Sequence, residues 1–128
     1  MLITGLRAQE FDPKAYYKLY ASSGEVVDNS LDEMNGANLF IQKEQKNNGG
    51  QMFSIINDGN NLFSIMCPLT KKAFDDGATP KNNQLIVQWE YYAGNPNQTW
   101  KLTSIGDDKY IISTTKANLN LSYRKDGK

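Results

Sequence analysis

The stretch DDGATPKNNQLIVQWEYYAGNPNQTW, residues 75–100, carries the strongest pattern in this sequence, and it ends in the motif NQTW at residues 97–100. Trp89 lies 14 positions after Asp75, and Gln98 lies 23 positions after it. A Gln-x-Trp triplet alone is weak evidence for any structure. The spacing gains meaning only if the chain contains it a second time.

An earlier stretch has the same internal spacing. Gln42 lies 14 positions after Asp28, and Gln51, the first residue of QMF, lies 23 positions after it. Two copies with one spacing indicate duplicated supersecondary units of roughly 45 residues. We predict three repeats, at about residues 16–59, 60–107 and 108–128, because predicted strands start 46 and 47 residues apart, at Tyr17, Phe63 and Tyr110.

Composition limits the classes of function. At 128 residues and 14.4 kDa, the sequence predicts a single domain with one modest core. Fourteen basic residues balance fourteen acidic residues, so no bulk charge favours nucleic acid or anionic membranes. Histidine is absent, which removes the usual general base and the commonest metal ligand, and the single cysteine excludes an intrachain disulfide. We therefore expect no catalytic residues, no metal and no cofactor.

No membrane span or signal peptide is predicted. No segment approaches the roughly 18 apolar residues that a spanning helix needs, and residues 1–6 are too short for a signal-peptide core. We expect a cytoplasmic location or secretion by a route without a signal peptide. The sequences Asn97-Gln98-Thr99 and Asn120-Leu121-Ser122 match the glycosylation sequon, which matters only on a eukaryotic secretory route.

Short alternating segments separated by turn residues predict an all-β fold. Turn signals such as Asn35-Gly36 and Gly94-Asn95-Pro96 divide the chain at regular intervals. A turn at Asp12 and Pro13, or a leader that packs on the barrel, precedes the first repeat. The predicted strands are residues 17–20, 25–28, 37–43, 52–56, 62–66, 73–75, 85–89, 100–102, 109–112 and 119–121.

Asp75, Trp89 and the motif Asn97-Gln98-Thr99-Trp100 resemble the ricin-B type β-trefoil lectins, whose repeats end in a Gln-x-Trp motif. The resemblance covers about residues 16–128 and is strongest in the second repeat. It implies a pseudo-threefold β-trefoil barrel of twelve strands with up to one shallow sugar pocket per repeat. Galactose- and N-acetylgalactosamine-type glycans are the commonest ligands of that family.

The residue types of the second repeat suit a neutral sugar. The carboxylate of Asp75 accepts hydroxyl protons in charge-assisted hydrogen bonds, and the indole of Trp89 offers a flat apolar face to the C–H side of a sugar ring. The amide of Asn97 both donates and accepts, and Gln98 serves either the ligand or the local backbone. Trp100 is expected in the core. The predicted carbohydrate-binding residues are Asp75, Trp89, Asn97 and Gln98.

The first repeat departs from the pattern, because Gln42 stands at the aromatic position and Gly50 replaces the Asn before the closing Gln. Asp28, Gln42 and Gln51 therefore form a second, weaker site in this interpretation.

The third repeat departs further, since Asn120 is taken to stand where the pattern has Asp. Its partners would fall at 120 + 14 = 134 and 120 + 23 = 143, beyond Lys128. Either this sequence is a fragment of a larger protein, or residues 1–14, a partner chain or an unusual closure would have to close the fold.

The sequence favours a non-enzymatic lectin that binds glycans or glycoproteins, with a homodimer or a tethered partner domain supplying avidity. The alternatives are a trefoil protease inhibitor or protein-interaction module, which would present the loop of residues 76–83 with Pro80, and a targeting domain cut from a larger toxin or enzyme. A glycoside hydrolase that uses Asp75 and Asp76 is disfavoured, because adjacent residues of a strand point to opposite faces.

Overall fold

The computed structural model describes residues 2–3, 11–81, 84–117 and 119–122. This part forms one sheet of ten strands: β1 (Leu2–Ile3), β2 (Leu19–Tyr20), β3 (Val26–Asp28), β4 (Phe40–Gln42), β5 (Ser54–Gly59), β6 (Leu62–Met66), β7 (Lys72–Asp75), β8 (Val87–Glu90), β9 (Trp100–Gly106) and β10 (Lys109–Thr114). Two short 3₁₀ turns, Gly49–Gln51 and Pro96–Gln98, precede β5 and β9.

The strand order within the sheet is β4-β3-β2-β1-β10-β9-β6-β7-β8, with β5 paired to β6, and every pairing is antiparallel. Within each of the first two repeats, the first strand meets the start of the last strand, at Tyr17–Phe53 and at Phe63–Trp100. These contacts are related by 17 + 46 = 63 and 53 + 47 = 100. The predicted all-β fold, a β-trefoil with pseudo-threefold repeats, is confirmed.

The core contains the same residues of each repeat. Leu19, Ile65 and Ile112, which are 46 and 47 residues apart, are at most 1% exposed. The Trp100 side chain is also buried, and its indole N–H donates to the Phe74 carbonyl over 3.1 Å. Trp100 therefore belongs to the core, as the sequence predicts.

The register of the third repeat corrects the predicted role of Asn120. Asn120 pairs with Ser113 as Ala73 pairs with Met66 in the second repeat. Both positions are shifted by the same amount, since 66 + 47 = 113 and 73 + 47 = 120. Asn120 is thus the counterpart of Ala73.

The place of the aspartate in the third repeat is taken by Ser122, because 75 + 47 = 122. Leu121 packs against the core as Phe74 does one repeat earlier, so the residue that follows it corresponds to Asp75. The prediction that Asn120 occupies the aspartate position is wrong. The expectation that the third repeat lacks the carboxylate at this position still holds, because Ser122 carries a hydroxyl there.

Strand β1 closes the sheet between the first and third repeats. It pairs with β2 through Leu2–Tyr20 and Ile3–Leu19, and with β10 through Leu2–Lys109. By the symmetry of the repeats, this is the position between β2 and β10 where the last strand of a third repeat would lie. Of the closures left open by the sequence, the N-terminal segment is the one that the structure contains.

Phe11 completes this closure inside the barrel. Its ring lies 5.6 Å from Tyr17, 5.5 Å from Phe63 and 5.4 Å from Tyr110, measured between ring centroids. These three rings are equivalent residues of the three repeats, so nearly equal distances place Phe11 close to the pseudo-threefold axis. The contacts with Tyr17 and Phe63 are edge-to-face, which is a favourable aromatic geometry, and the contact with Tyr110 is tilted at 51°.

Candidate functional site

Gln98 lies at the centre of the second-repeat site and is fully buried. Its Nε2 donates to the Glu90 carbonyl over 2.8 Å and to Asp75 Oδ2 over 3.3 Å, while its Oε1 accepts the Tyr92 N–H over 3.0 Å. A carboxamide is suited to this position because it donates and accepts at the same time. The side chain thus ties the end of β8 to the carboxylate at the end of β7.

Gln51 makes the same three contacts in the first repeat. It is fully buried, donates to the Lys43 carbonyl and to Asp28 Oδ2 over 3.1 and 2.9 Å, and accepts the Gln45 N–H over 2.8 Å. The repeated Asp-to-Gln spacing of 23 residues therefore corresponds to a direct hydrogen bond in both repeats. Neither glutamine is exposed to a ligand in solution.

Asp75 is 5% exposed and has unused hydrogen-bonding capacity. The Gly77 N–H donates to its Oδ1 over 2.8 Å, and Gln98 donates to its Oδ2 over 3.3 Å. Within the part of the chain that the structure describes, each oxygen has one donor, whereas a carboxylate offers about four acceptor positions. A nearly buried carboxylate with so few partners is poorly compensated for the loss of water.

Asp28, the equivalent residue of the first repeat, is 0% exposed and surrounded by donors. Its Oδ1 accepts the Ser30 N–H over 2.6 Å, and its Oδ2 accepts side-chain N–H groups of Asn48, Gln51 and Gln42. Four donors fill its acceptor positions. The first-repeat site is therefore occupied by the protein's own side chains.

The aromatic position lies beside the carboxylate in both repeats. Gln42 touches Asp28 directly, and Trp89 is its equivalent, since 42 + 47 = 89. Asp75 pairs with Val87 across the β7–β8 hairpin, so Trp89, two residues farther along β8, lies on the same face. The structure therefore brings Asp75 and Trp89 to one surface.

The Trp89 side chain is 43% exposed and is supported from the first repeat. Gly36 has a φ of +88°, and a Cβ placed there would lie 3.7 Å from Cζ3 of the indole, so the turn lies next to that edge of the ring. The neighbouring Asn35 side chain accepts the Glu90 N–H over 2.8 Å and a proton of Lys72 Nζ over 3.1 Å. The indole is thus held in place from one side and open to solvent on another.

The Asn97 side chain accepts a hydrogen bond from Lys116, a cationic residue of the third repeat. Lys116 Nζ donates to Asn97 Oδ1 over 2.5 Å, to Asp76 Oδ1 over 3.2 Å and to the Ala78 carbonyl over 2.9 Å. The Asp76 N–H donates to the Asn97 carbonyl over 2.9 Å, which keeps Asn97 next to the end of β7. Sequence reasoning missed Lys116, because only the folded chain brings it to this loop.

Tyr92 is a second exposed aromatic residue at the site, 55% exposed, and the sequence interpretation did not include it among the binding residues. Its N–H is held by Gln98, and its hydroxyl donates to Glu90 Oε2 over 2.8 Å. The hydrogen bond to Glu90, together with the negative charge of that residue, raises the pKa of Tyr92. The sequence signal that could have identified Tyr92 is its position two residues before the turn Gly94-Asn95-Pro96.

The loop at residues 76–83, which the sequence offers as a protein-binding loop, is braced from within. Gln84 Nε2 donates to the Asp76 carbonyl over 3.1 Å, and its Oε1 accepts the Lys81 N–H over 3.1 Å. Residues 82 and 83, which would form part of the presented surface, lie outside the described residues. Lys116 also donates to the Ala78 carbonyl, so the described hydrogen bonds connect the loop to its own base and to the third repeat.

Two features are absent from the described residues. No group of three or more histidine, cysteine, aspartate or glutamate side chains is arranged to hold a metal ion. Across the same residues, no helix has the length and apolar character that crossing a bilayer requires.

Sequence comparison identifies no relative of this chain: no protein-family model matches it, and no curated protein sequence matches it significantly.

Comparison of folds gives clear matches to solved structures. The designed threefold-symmetric protein ThreeFoil superposes with a TM-score of 0.75 and 22% identity, over 86% of this chain and 91% of that one. The exo-β-1,3-galactanase 1,3Gal43A from Clostridium thermocellum matches with a TM-score of 0.72 and 25% identity, over 82% of this chain and 23% of the enzyme. A Polyporus squamosus lectin, bound to Neu5Acα2-6Galβ1-4GlcNAc, matches with a TM-score of 0.71 and 12% identity, over 92% of this chain and 47% of the lectin.

This chain therefore spans about a quarter of the galactanase and about half of the lectin, and at these identities the likeness concerns architecture. The strand pairing, the repeated core and these superpositions together establish that the chain has the β-trefoil fold.

Proposed function

We propose that this chain is a non-enzymatic carbohydrate-binding domain of the ricin-B lectin type. Its main pocket lies in the second repeat, where Asp75, Trp89 and Asn97 contact a neutral sugar of the galactose or N-acetylgalactosamine type. Gln98 acts through Asp75, since it is fully buried and its amide is used by the protein.

The observation that carries this proposal is the unequal bonding of two equivalent carboxylates. Asp28 is filled by four donors of its own repeat, whereas Asp75 accepts two hydrogen bonds from the described residues. Sugar hydroxyls would supply the missing donors, in the charge-assisted hydrogen bonds that carboxylates favour. The same comparison explains why one repeat is the main site.

The apolar half of a sugar is accommodated by the neighbouring indole. Trp89 shares a face with Asp75 and is exposed, while the Gly36 turn supports it from the first repeat. A ring stacked on Trp89 would place hydroxyls toward Asp75 and Asn97. The exposed Tyr92 offers a second apolar surface at the rim.

The first repeat is at most a weaker site. A ligand that binds Asp28 would have to displace Gln42 from its carboxylate, while Gln51 remains buried as the support. Because each hydrogen bond lost to a charged group costs about 1.5–3 kcal/mol, that exchange offsets most of the gain from a sugar hydroxyl.

Similar architectures support a binding role. The Polyporus squamosus lectin carries a bound oligosaccharide on a chain of which this fold covers 47%, and the galactanase is an enzyme of which it covers 23%. A single shallow pocket binds a simple sugar weakly, so we propose that the domain gains avidity from a second copy or a tethered partner domain.

A glycan array tests this proposal. We expect the intact chain to bind glycans with terminal galactose or N-acetylgalactosamine, and the double variant Asp75→Ala/Trp89→Ala to lose that binding. The matched control Asp107→Asn removes an exposed carboxylate in the β9–β10 turn and should bind as the parent does. Undiminished binding by the double variant would exclude this pocket, and the absence of any glycan binding by the parent would exclude the proposed function.

A further inference from the structure

Lys116 is a third-repeat residue whose ammonium group lies entirely within the second-repeat site. It makes three hydrogen bonds, to Asn97 Oδ1, Asp76 Oδ1 and the Ala78 carbonyl, over 2.5, 3.2 and 2.9 Å. An ammonium group has three N–H donors and no acceptor. Lys116 therefore has no donor left for a ligand, and any effect it has on binding must pass through the groups that it holds.

The contact with Lys116 fixes which way the Asn97 amide faces. Because lysine only donates, the amide atom against it must be the oxygen, and the NH₂ group points away. The Asn97 backbone is also held, since its N–H donates to Asn95 Oδ1 over 3.0 Å and its carbonyl accepts the Asp76 N–H over 2.9 Å. Its NH₂ group has no partner among the described residues and is left for a ligand.

The first-repeat site lacks both members of this pair. Gly50 stands at the place of Asn97, since 50 + 47 = 97, and Leu69 stands at the place of Lys116, since 69 + 47 = 116. Leu69 lies so close over Gly49 that a Cβ there would collide with it. The amide and its lysine are thus present together at the site with the open carboxylate and absent together at the site whose carboxylate is filled.

We propose that Lys116 is a positioning residue that holds Asn97 as a hydrogen-bond donor to the ligand. The pocket then recognises two hydroxyl groups of the sugar: one donates a hydrogen bond to Asp75, and the other accepts one from Asn97. Since Lys116 is saturated and paired with Asp76, and the carboxylate of Asp75 is open to the ligand, the ligand class is a neutral sugar rather than an acidic one. This inference rests on the proposed function and adds a residue from another repeat to the site.

The first experiment needs no sugar. The side-chain amide signals of Asn97 are assigned by NMR in the parent, in Lys116→Met and in Lys116→Arg. We expect the signals to move in Lys116→Met and to stay close to their parent positions in Lys116→Arg, which can still donate to the amide oxygen. Unchanged signals in Lys116→Met would show that the lysine does not hold this amide and would overturn the inference.

The second experiment identifies which sugar hydroxyl contacts Asp75 and which contacts Asn97. Methyl β-galactoside and its monodeoxy analogues are titrated against the parent, Lys116→Met and Asn97→Asp. In the parent we expect one deoxy position to weaken binding at least about tenfold through Asn97. In Lys116→Met, removing that same hydroxyl should weaken binding about threefold or less. Removing the hydroxyl that donates to Asp75 should still weaken binding as it does in the parent. General loosening of the fold would not affect one hydroxyl and spare the other.

Asn97→Asp is the variant that keeps the fold and removes the donors. The new carboxylate still pairs with Lys116, so the melting temperature should equal or exceed that of the parent, whereas affinity for methyl β-galactoside should fall at least about tenfold. Retained affinity in this variant would overturn the inference and the sugar contact of Asn97, and would leave the carbohydrate-binding role of the chain standing. A parent that binds no sugar would remove both.

Discussion

At the scale of single residues, two glutamines explain the repeated spacing. Gln51 and Gln98 each join a carboxylate to a backbone carbonyl and a backbone N–H that lie two residues apart in another segment of the same repeat. The interaction is worth most because it is buried: each group would otherwise face a low-dielectric interior without a partner. The closing Gln therefore supports the fold of the site and sets the orientation of its carboxylate.

We expect Gln98→Ala to lower the free energy of unfolding by about 3 kcal/mol, because it leaves the Tyr92 N–H and the Glu90 carbonyl without partners. Urea unfolding measures this change. Gln84→Ala is the control, since Gln84 makes two hydrogen bonds at the surface and should cost less than about 1 kcal/mol. Equal stability of the two variants would contradict the role given to Gln98.

The proximity of the residues named for the second-repeat site could be predicted because they lie in one continuous stretch. Asp75, Trp89 and Gln98 are recognisable from spacing, and the structure joins Asp75 to Gln98 and places Trp89 on the same face. Lys116 could not be predicted in this way, because it reaches Asp76 across 40 positions of sequence. A contact of that kind depends on which loops converge at one end of the barrel.

At the scale of elements, equivalent strands carry different side chains at the same position. Gln42 ends β4 and Trp89 lies in β8, and both positions adjoin the aspartate of their repeat. The amide of Gln42 fills its carboxylate, whereas the indole of Trp89 leaves its carboxylate open. The difference between Gln42 and Trp89 at one position of the repeat thus gives a structural hydrogen bond in the first repeat and an open carboxylate beside an exposed ring in the second.

We expect alanine substitutions at these two equivalent positions to have opposite effects. Gln42→Ala removes a hydrogen bond to a buried carboxylate and should lower the free energy of unfolding by about 1.5–3 kcal/mol, while binding in the second repeat is retained. Trp89→Ala should cost about 1 kcal/mol, because 43% of the residue is already exposed, and should abolish sugar binding. Urea unfolding and a methyl β-galactoside titration of each variant provide the comparison. Loss of sugar binding in Gln42→Ala, or retained binding in Trp89→Ala, would contradict the roles given to these two positions.

Strand positions were predictable where turn residues mark both ends, as for Leu62–Met66, which agrees at both limits. The hairpin of β9 and β10 is longer than predicted, because Asp107 and Asp108 form a tight turn with φ values of 53° and 57°. Aspartate tolerates this left-handed conformation, but two charged residues in succession are a weaker turn signal than Asn-Gly. The alignment of Asn120 with Asp75 was wrong for a related reason. The segment around Asn120 forms only a single bridge, to Ser113, and is too short to show an alternating pattern that would fix its register.

At the scale of the whole molecule, all three repeats contribute to one site. The first repeat supplies the Gly36 turn behind the indole, the second supplies Asp75, Trp89 and Asn97, and the third supplies Lys116. The barrel that holds them together is closed by the N-terminal segment through β1 and Phe11. The sequence left several closures open, because β1 is two residues long and carries no periodicity.

We expect Phe11→Ala to lower the free energy of unfolding by about 3 kcal/mol, since it removes a ring that touches the core of all three repeats. Urea unfolding again gives the measurement. Tyr16→Ala is the matched aromatic control, because Tyr16 is 60% exposed and should change stability by about 0.5 kcal/mol or less. A Phe11→Ala variant as stable as this control would show that the N-terminal segment is dispensable for closure.

The central claim is that the second repeat contains the main sugar pocket, and an NMR titration of the intact chain with methyl β-galactoside tests it most directly. Losing a stacked aromatic or a charge-assisted hydrogen bond costs on the order of 1–3 kcal/mol, about ten- to a hundredfold in affinity, so the first repeat should remain silent at concentrations that saturate the second. We predict saturable amide shifts around Asp75, Trp89 and Asn97 that disappear in Asp75→Asn. Equal saturation around Asp28 and Gln42, or unchanged shifts in Asp75→Asn, would contradict the account.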